Sequence, residues 1–139
     1  MAQAIPAAII FGVAVATASC VAAPYDERYD QRTRAELSRA LAGRVAGRPV
    51  NCIPNYRTTN MRIIDDYTIL FDEGRTVYVQ KPRGGCRGIH SGSYTLVTRP
   101  LGVSQLCSGD INQLVDLRTG MTGGSCVFGP YIPYTKAAG

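Results

Sequence analysis

The chain has 139 residues, with five cysteines, one histidine and no tryptophan, and its 15 Lys and Arg outnumber 10 Asp and Glu for a net charge of +5. That length allows one modest hydrophobic core and leaves no room for a second domain of ordinary size. A lone histidine and widely spaced cysteines without a C-x-x-C pair exclude the usual zinc arrangements, so neither a metal nor a cofactor is expected.

No charge precedes Asp26, and Ile5 to Val15 is dominated by Ile, Val, Ala and Phe, the pattern of a secretory signal. The following Thr17-Ala18-Ser19-Cys20 resembles the lipobox of bacterial lipoproteins, in which small residues precede an invariant cysteine. The resemblance implies a signal peptide over 1–19, cleavage before Cys20, a diacylglycerol on its sulfur and a fatty acyl group such as palmitate on its new amine. Thr17 stands where Leu or Val is usual, and Met1-Ala2-Gln3 lacks the customary Lys or Arg. Two alternatives stay open: a conventional signal cut after Ala18 or Ala23, and a retained transmembrane helix. The apolar run from Ala7 to Ala23 is at the short end of the roughly 17–25 residues a span needs. Val21 is not the Asp that holds enterobacterial lipoproteins at the inner membrane, so the resemblance implies the periplasmic face of the outer membrane. A soluble periplasmic or secreted protein is the alternative address. The +5 charge lies wholly after residue 19. Outside the cytoplasm it suits an envelope protein, anionic lipid or a cell-wall polymer, and no nucleic acid is expected.

Residues 20–32 read as the lipidated cysteine and a flexible tether, since Asp26, Glu27, Arg28, Asp30 and Arg32 alternate in sign with little apolar content. Thr33-Arg34-Ala35-Glu36 has the form of a capping box, and Leu37, Ala40 and Leu41 follow at helical spacing. A short amphipathic helix is expected over 33–46, ended by Gly43 or Gly47 and docked on the domain. The rest, 47–139, reads as β. Strands are expected at Val50 to Ile53, Met61 to Ile64, Tyr67 to Phe71, Thr76 to Gln80, Tyr94 to Thr98, Val103 to Cys107, Ile111 to Leu117 and Cys126 to Phe128. Turns at Asp72-Glu73-Gly74, Pro100-Leu101-Gly102, Ser108-Gly109-Asp110 and Gly120 to Gly124 separate them. Short strands, glycine-rich turns and no alternating long helices predict a mainly β fold, a small antiparallel barrel or sandwich of about six to eight strands.

With Cys20 set aside, Cys52, Cys86, Cys107 and Cys126 make an even set, which in an oxidising compartment predicts two disulfides with three possible pairings. The preferred expectation is Cys52–Cys126, joining the first and last strands, with Cys86–Cys107 across an internal loop. Several pieces resemble a family of uncharacterised bacterial envelope proteins carrying a domain of unknown function. They are Cys52-Ile53, Asp66 to Phe71, Gly85-Cys86-Arg87-Gly88-Ile89, Leu106-Cys107-Ser108-Gly109-Asp110 and Cys126-Val127-Phe128-Gly129. The resemblance runs from about Gly47 to Pro133. It implies a scaffold and brings no activity with it.

The loop Lys81 to Gly88 is the best functional candidate. Lys81, Arg83 and Arg87 lie among glycines whose amides can approach an anion, and arginine can hold phosphate or carboxylate with paired bonds. The plainer and favoured reading is a solvated hairpin loop, and no G-x-x-x-x-G-K-[ST] phosphate loop is present. His90 is expected at the surface, because a catalytic triad would also need an orienting carboxylate. Asp65-Asp66 reads as a turn, and Asp110 as the cap of its own turn. Tyr131 and Tyr134, among Pro130 and Pro133, form a stiff aromatic tail that either docks a partner or packs back on the domain. The function expected is a non-enzymatic binding or bracing module of the envelope. One alternative is an inhibitor of a lysozyme-like or other acidic-cleft enzyme, because Ser91-Gly92-Ser93-Tyr94 resembles the S-G-x-x-Y element of periplasmic lysozyme inhibitors, one residue short. The other is a cell-wall hydrolase, for which no nucleophile motif is visible.

Overall fold

Leu37, Ala40 and Leu41 lie on one side of a helix because their spacing returns each to the same face. In the computed structural model, which describes residues 27–54, 60–99 and 104–138, that helix is α1 (Glu27–Leu41). It begins well before the expected start, and residues 27–32 are helical. The stretch has no Gly or Pro, its Glu, Arg and Gln favour helix, and Asp30 and Arg34 form an i,i+4 ion pair at 3.9 Å. Thr33 and Glu36 therefore sit inside α1 and do not cap it. Gly43, at φ 68°, supplies the left-handed residue that lets the chain leave the helix. The signal segment, Cys20, the tether up to Asp26 and the turn at Pro100-Leu101-Gly102 lie outside the described residues.

Among the described residues ten strands follow: β1 (Arg44–Ala46), β2 (Cys52–Pro54), β3 (Met61–Asp65), β4 (Thr68–Glu73), β5 (Thr76–Gln80), β6 (Tyr94–Thr98), β7 (Gln105–Cys107), β8 (Ile111–Asp116), β9 (Thr122–Val127) and β10 (Tyr131–Lys136). They form three antiparallel sheets, ordered β1-β10-β5-β4-β3, β2-β7 and β6-β8-β9. The fold is mainly β as expected, with two strands that the sequence pattern does not announce: β10, and β1, whose residues 44–46 correct the C-terminal end of the helix expected over 33–46. The five-stranded sheet is covered on both faces. Leu70, Val77 and Val79 pack under Leu37, Ala40 and Leu41 of α1. On the opposite face Ile69, Phe71 and Tyr131 join Ile53, Cys86, Ile89, Leu106, Leu114, Cys126 and Phe128 from the smaller sheets and loops. The rings of Phe71, Phe128 and Tyr131 meet edge to face, with centroids 5.7 to 6.2 Å apart.

The cysteines form two disulfides, Cys52–Cys107 and Cys86–Cys126. The preferred pairing, Cys52–Cys126 with Cys86–Cys107, is corrected on both counts. It requires the first and last cysteine-bearing strands to be neighbours, whereas β2 pairs with β7 and sets Cys52 directly opposite Cys107. Cys126 instead faces the loop that follows β5, where Cys86 lies. Two such bridges belong to an oxidising, exported environment. Among the described residues no helix is long and apolar enough to cross a membrane.

The aromatic tail is a strand. β10 runs between β1 and β5, and Tyr131 is fully buried, so Tyr131 is corrected from docking candidate to core residue. Tyr134 is half-buried and packs against the cluster beneath α1. Pro133 is tolerated within β10 because its nitrogen faces only the Gly47 crossover, where the Gly47 amide donates to the Pro133 carbonyl at 2.7 Å. The Tyr131 hydroxyl and the Oε1 of Gln80, its register partner, are buried without a hydrogen-bond partner. Burial, reinforced by Asp110, pushes the Tyr131 phenol far above its ordinary value, so it stays neutral. Tyr131→Phe keeps the ring and removes an unsatisfied group. It is expected to leave stability unchanged or raise it by about 1 kcal/mol in urea unfolding. A clear loss would mean that the hydroxyl is held by a group such as an ordered water.

Candidate functional site

The Lys81 to Gly88 loop leaves β5 at Gln80 and is fastened at both ends. Arg83 donates its amide to Val127 at 2.8 Å, and its guanidinium reaches the Ser108 hydroxyl at 3.4 Å. Gly85 turns with φ 78° and donates to the Pro82 carbonyl at 3.1 Å. A β-carbon there would come within 2.6 Å of the Tyr67 ring, so only glycine fits the approach. Cys86 then donates to the backbone carbonyl of Asp66 at 2.7 Å. Lys81, Arg83 and Arg87 are all exposed. Arg83 departs toward Ser108, while Arg87 precedes Gly88, which borders the Tyr94 ring.

The end of the loop that offered a candidate anion cradle already holds an anion from the chain itself. Asp66 Oδ2 accepts the Gly88 amide at 2.9 Å, and Oδ1 accepts the His90 amide at 3.3 Å. Oδ1 also lies 2.7 Å from His90 Nδ1. An ionised carboxylate only accepts, so Nδ1 carries the hydrogen. Gly88 at φ 86° and the short 3-10 turn Ile89–Ser91 turn the Gly88 and His90 amides toward the same carboxylate, while the Ile89 amide between them donates to the Cys86 carbonyl at 3.1 Å. Burial acts to raise the Asp66 pKa but is outweighed by the Gly88 amide, the His90 ring and the His90 amide. The net effect holds Asp66 below its ordinary 3.8. Asp65 does make the local turn expected of the pair, accepting the Tyr67 amide at 2.7 Å.

The Asp66–His90 contact joins residues 24 apart and is not visible in the sequence. The carboxylate that a catalytic histidine needs is supplied by Asp66. The third member is not set up by Ser91, whose hydroxyl donates to the Gly88 carbonyl at 2.7 Å and accepts the Ser93 amide at 3.3 Å. The arrangement can orient an imidazole and hold a loop. Asp110 caps its own turn as expected, accepting the Cys107 amide at 2.7 Å from a buried position. Among the described residues no three His, Cys, Asp or Glu side chains gather as metal ligands. A shallow depression of about 640 Å³ lies elsewhere, lined by Asn60, Met61, Arg62, Asp72 and Gly74.

Asp66 makes a pH prediction with a definite sign. Its folded pKa is depressed, so its contribution is complete above 3.8 and is lost as pH falls through the folded value. Asp116 is also lowered, first by the Thr119 amide and then by the Arg118 amide, so the acid limb is shared. Asp66→Asn should therefore cost about 2 kcal/mol at neutral pH and flatten the acid limb below 3.8 relative to the parent. Urea midpoints measured across that range decide it. Parallel curves for parent and variant would remove Asp66 from the account. Comparison with protein-family models, curated proteins and solved structures returns no match to this chain.

Proposed function

We propose that this chain is an exported, lipid-anchored and non-enzymatic module of the bacterial cell envelope, holding a binding or bracing domain against its membrane through Cys20. The observation that carries the reading is the pair of disulfides closing the β domain, which supports an oxidising compartment. The uncharged apolar stretch before Cys20 supports export, and membership of the envelope family its cysteine order resembles is part of the same proposal. The Asp66 carboxylate is taken up by the loop it fastens, and the Ser91 hydroxyl by the same loop, which favours a structural role over a hydrolase. No specific observation favours an inhibitor.

Intact mass of the native protein tests the reading. Loss of residues 1–19, a diacylglycerol and an acyl chain on Cys20, and four thiols resistant to alkylation before reduction are expected. Cys20→Ser should move the protein from the membrane to the soluble fraction. Recovery with Met1 in place and all five thiols reactive would end the proposal. Co-purification from membranes in mild detergent, followed by mass spectrometry, identifies what the domain holds.

A further inference from the structure

Two loops meet at one end of the molecule. The β8–β9 turn, residues 117–121, lies beside the loop of residues 87–93. The Leu117 amide donates to the Ser93 carbonyl at 2.9 Å, and Tyr94 pairs with Asp116 in register. The Tyr94 ring spans the gap, lying near Gly88 and so close over Gly123 that no side chain fits there. Out of this end project Leu117 and Met121, 62% and 70% exposed, among the most exposed large apolar side chains described. Arg87 and Arg118 are exposed on the same two loops.

The turn is rigid. Asp116 Oδ1 accepts the amides of Arg118 and Thr119, both at 2.9 Å, and the Thr119 hydroxyl at 3.1 Å. The Asp116 amide donates to Met121 and its carbonyl accepts from Gly120, again at 2.9 Å. The two carboxylates nearest this end, Asp66 and Asp116, are thus drawn onto backbone amides of the loops themselves. Both carboxylates stay ionised, and Asp116 is partly exposed at the base of the turn, but the side chains exposed beyond it on residues 87–93 and 117–121 are cations, small polar groups and two long apolar side chains. A fixed projection of that chemistry matches a bilayer boundary, where apolar tips enter the acyl region while guanidinium groups meet phosphate.

We propose that residues 87–93 and 117–121 form a tip that rests on an anionic phospholipid surface, with Leu117 and Met121 entering the acyl boundary and Arg87 and Arg118 on the headgroup phosphates. The proposal rests on the envelope reading above and adds to it how the domain is oriented against its membrane. A rigid turn suits this role because little conformational entropy is lost on contact.

The chain has no tryptophan, so one introduced reporter is read without background. Met121→Trp in the full chain, mixed with vesicles of phosphatidylcholine and phosphatidylglycerol, should shift its emission to the blue. Lipids brominated on the acyl chain should quench it. Val45→Trp, at the 66% exposed position on β1, should do neither. Phosphatidylcholine alone should give little response, and adding Arg118→Gln to the reporter should weaken the response about fivefold, the worth of one cation near such a surface. An unchanged Met121→Trp emission on anionic vesicles, or equal quenching of the two reporters, overturns the tip. A blue shift that grows with protein concentration in the absence of lipid assigns the surface to a second copy and also overturns it. Because the emission reports only the turn, its failure is separate from the mass measurement that decides acylation at Cys20.

Discussion

Phe71→Ala is expected to lower the free energy of unfolding by about 4 kcal/mol, read from urea transitions followed by circular dichroism. Phe71 is 1% exposed and lies in β4, beside the centre of the five-stranded sheet. Its ring meets Phe128 at 6.2 Å and Tyr131 at 5.7 Å between centroids, so it links the large sheet to the chain that returns from β9. Two terms add in the loss: apolar area no longer removed from water, and the cavity left where neighbouring rings cannot collapse. For a domain with the usual stability of about 5–15 kcal/mol, that is a large share of the whole. Val45→Ala, on an exposed edge position, should stay within about 0.5 kcal/mol. Similar losses at the two positions would mean that the aromatic cluster is not the core.

Removing Cys86–Cys126 by double alanine substitution should cost about 4 kcal/mol from the freed unfolded chain alone, and more once packing is counted. Cys86 and Cys126 are 0% and 4% exposed and belong to the main core, so their loss also leaves voids. Cys52 and Cys107 are half-buried at the margin, and their removal should cost less than that total. The same contrast sets the order of reduction. A thiolate must reach sulfur to cleave it, so Cys52–Cys107 should open first in a mild reductant, with Cys86–Cys126 following only on unfolding. Alkylation and peptide mass mapping through a time course give the order directly. Opening of Cys86–Cys126 first, with the fold intact, would contradict the burial argument.

Strands with alternating side chains and a recognisable turn were legible from the residues. Thr76 to Gln80 and Tyr94 to Thr98 have the observed bounds, whereas of the expected turn Asp72-Glu73-Gly74 only Gly74 turns, with Arg75, because Asp72 and Glu73 still pair with β5. β1 was hidden because it is three residues between Gly43 and Gly47, and β10 because Pro130 and Pro133 read as breakers. Only tertiary placement reveals that the Pro133 nitrogen needs no partner. The helix start is not legible because a capping-box pattern at Thr33 is equally compatible with the middle of a helix. The disulfide pairing depended on which strands are neighbours, and no local pattern encodes that β2 lies beside β7. At the candidate site the loop was found and its contents were not. Glycine content marked a place where amides converge, but the anion they hold is Asp66, 22 residues before Gly88, and nothing in the spacing joins them.

The two bridges interleave: one spans 52 to 107 and the other 86 to 126, so each closes across an end of the other. A single peptide-bond cut anywhere between Cys52 and Cys126 therefore severs the backbone without releasing a fragment. Proteolysis under oxidising conditions should leave a nicked species of unchanged mass apart from one added water, which separates into pieces only on reducing gels. Only the flanks beyond those cysteines, α1 with β1 on one side and β10 on the other, can be lost to one cleavage.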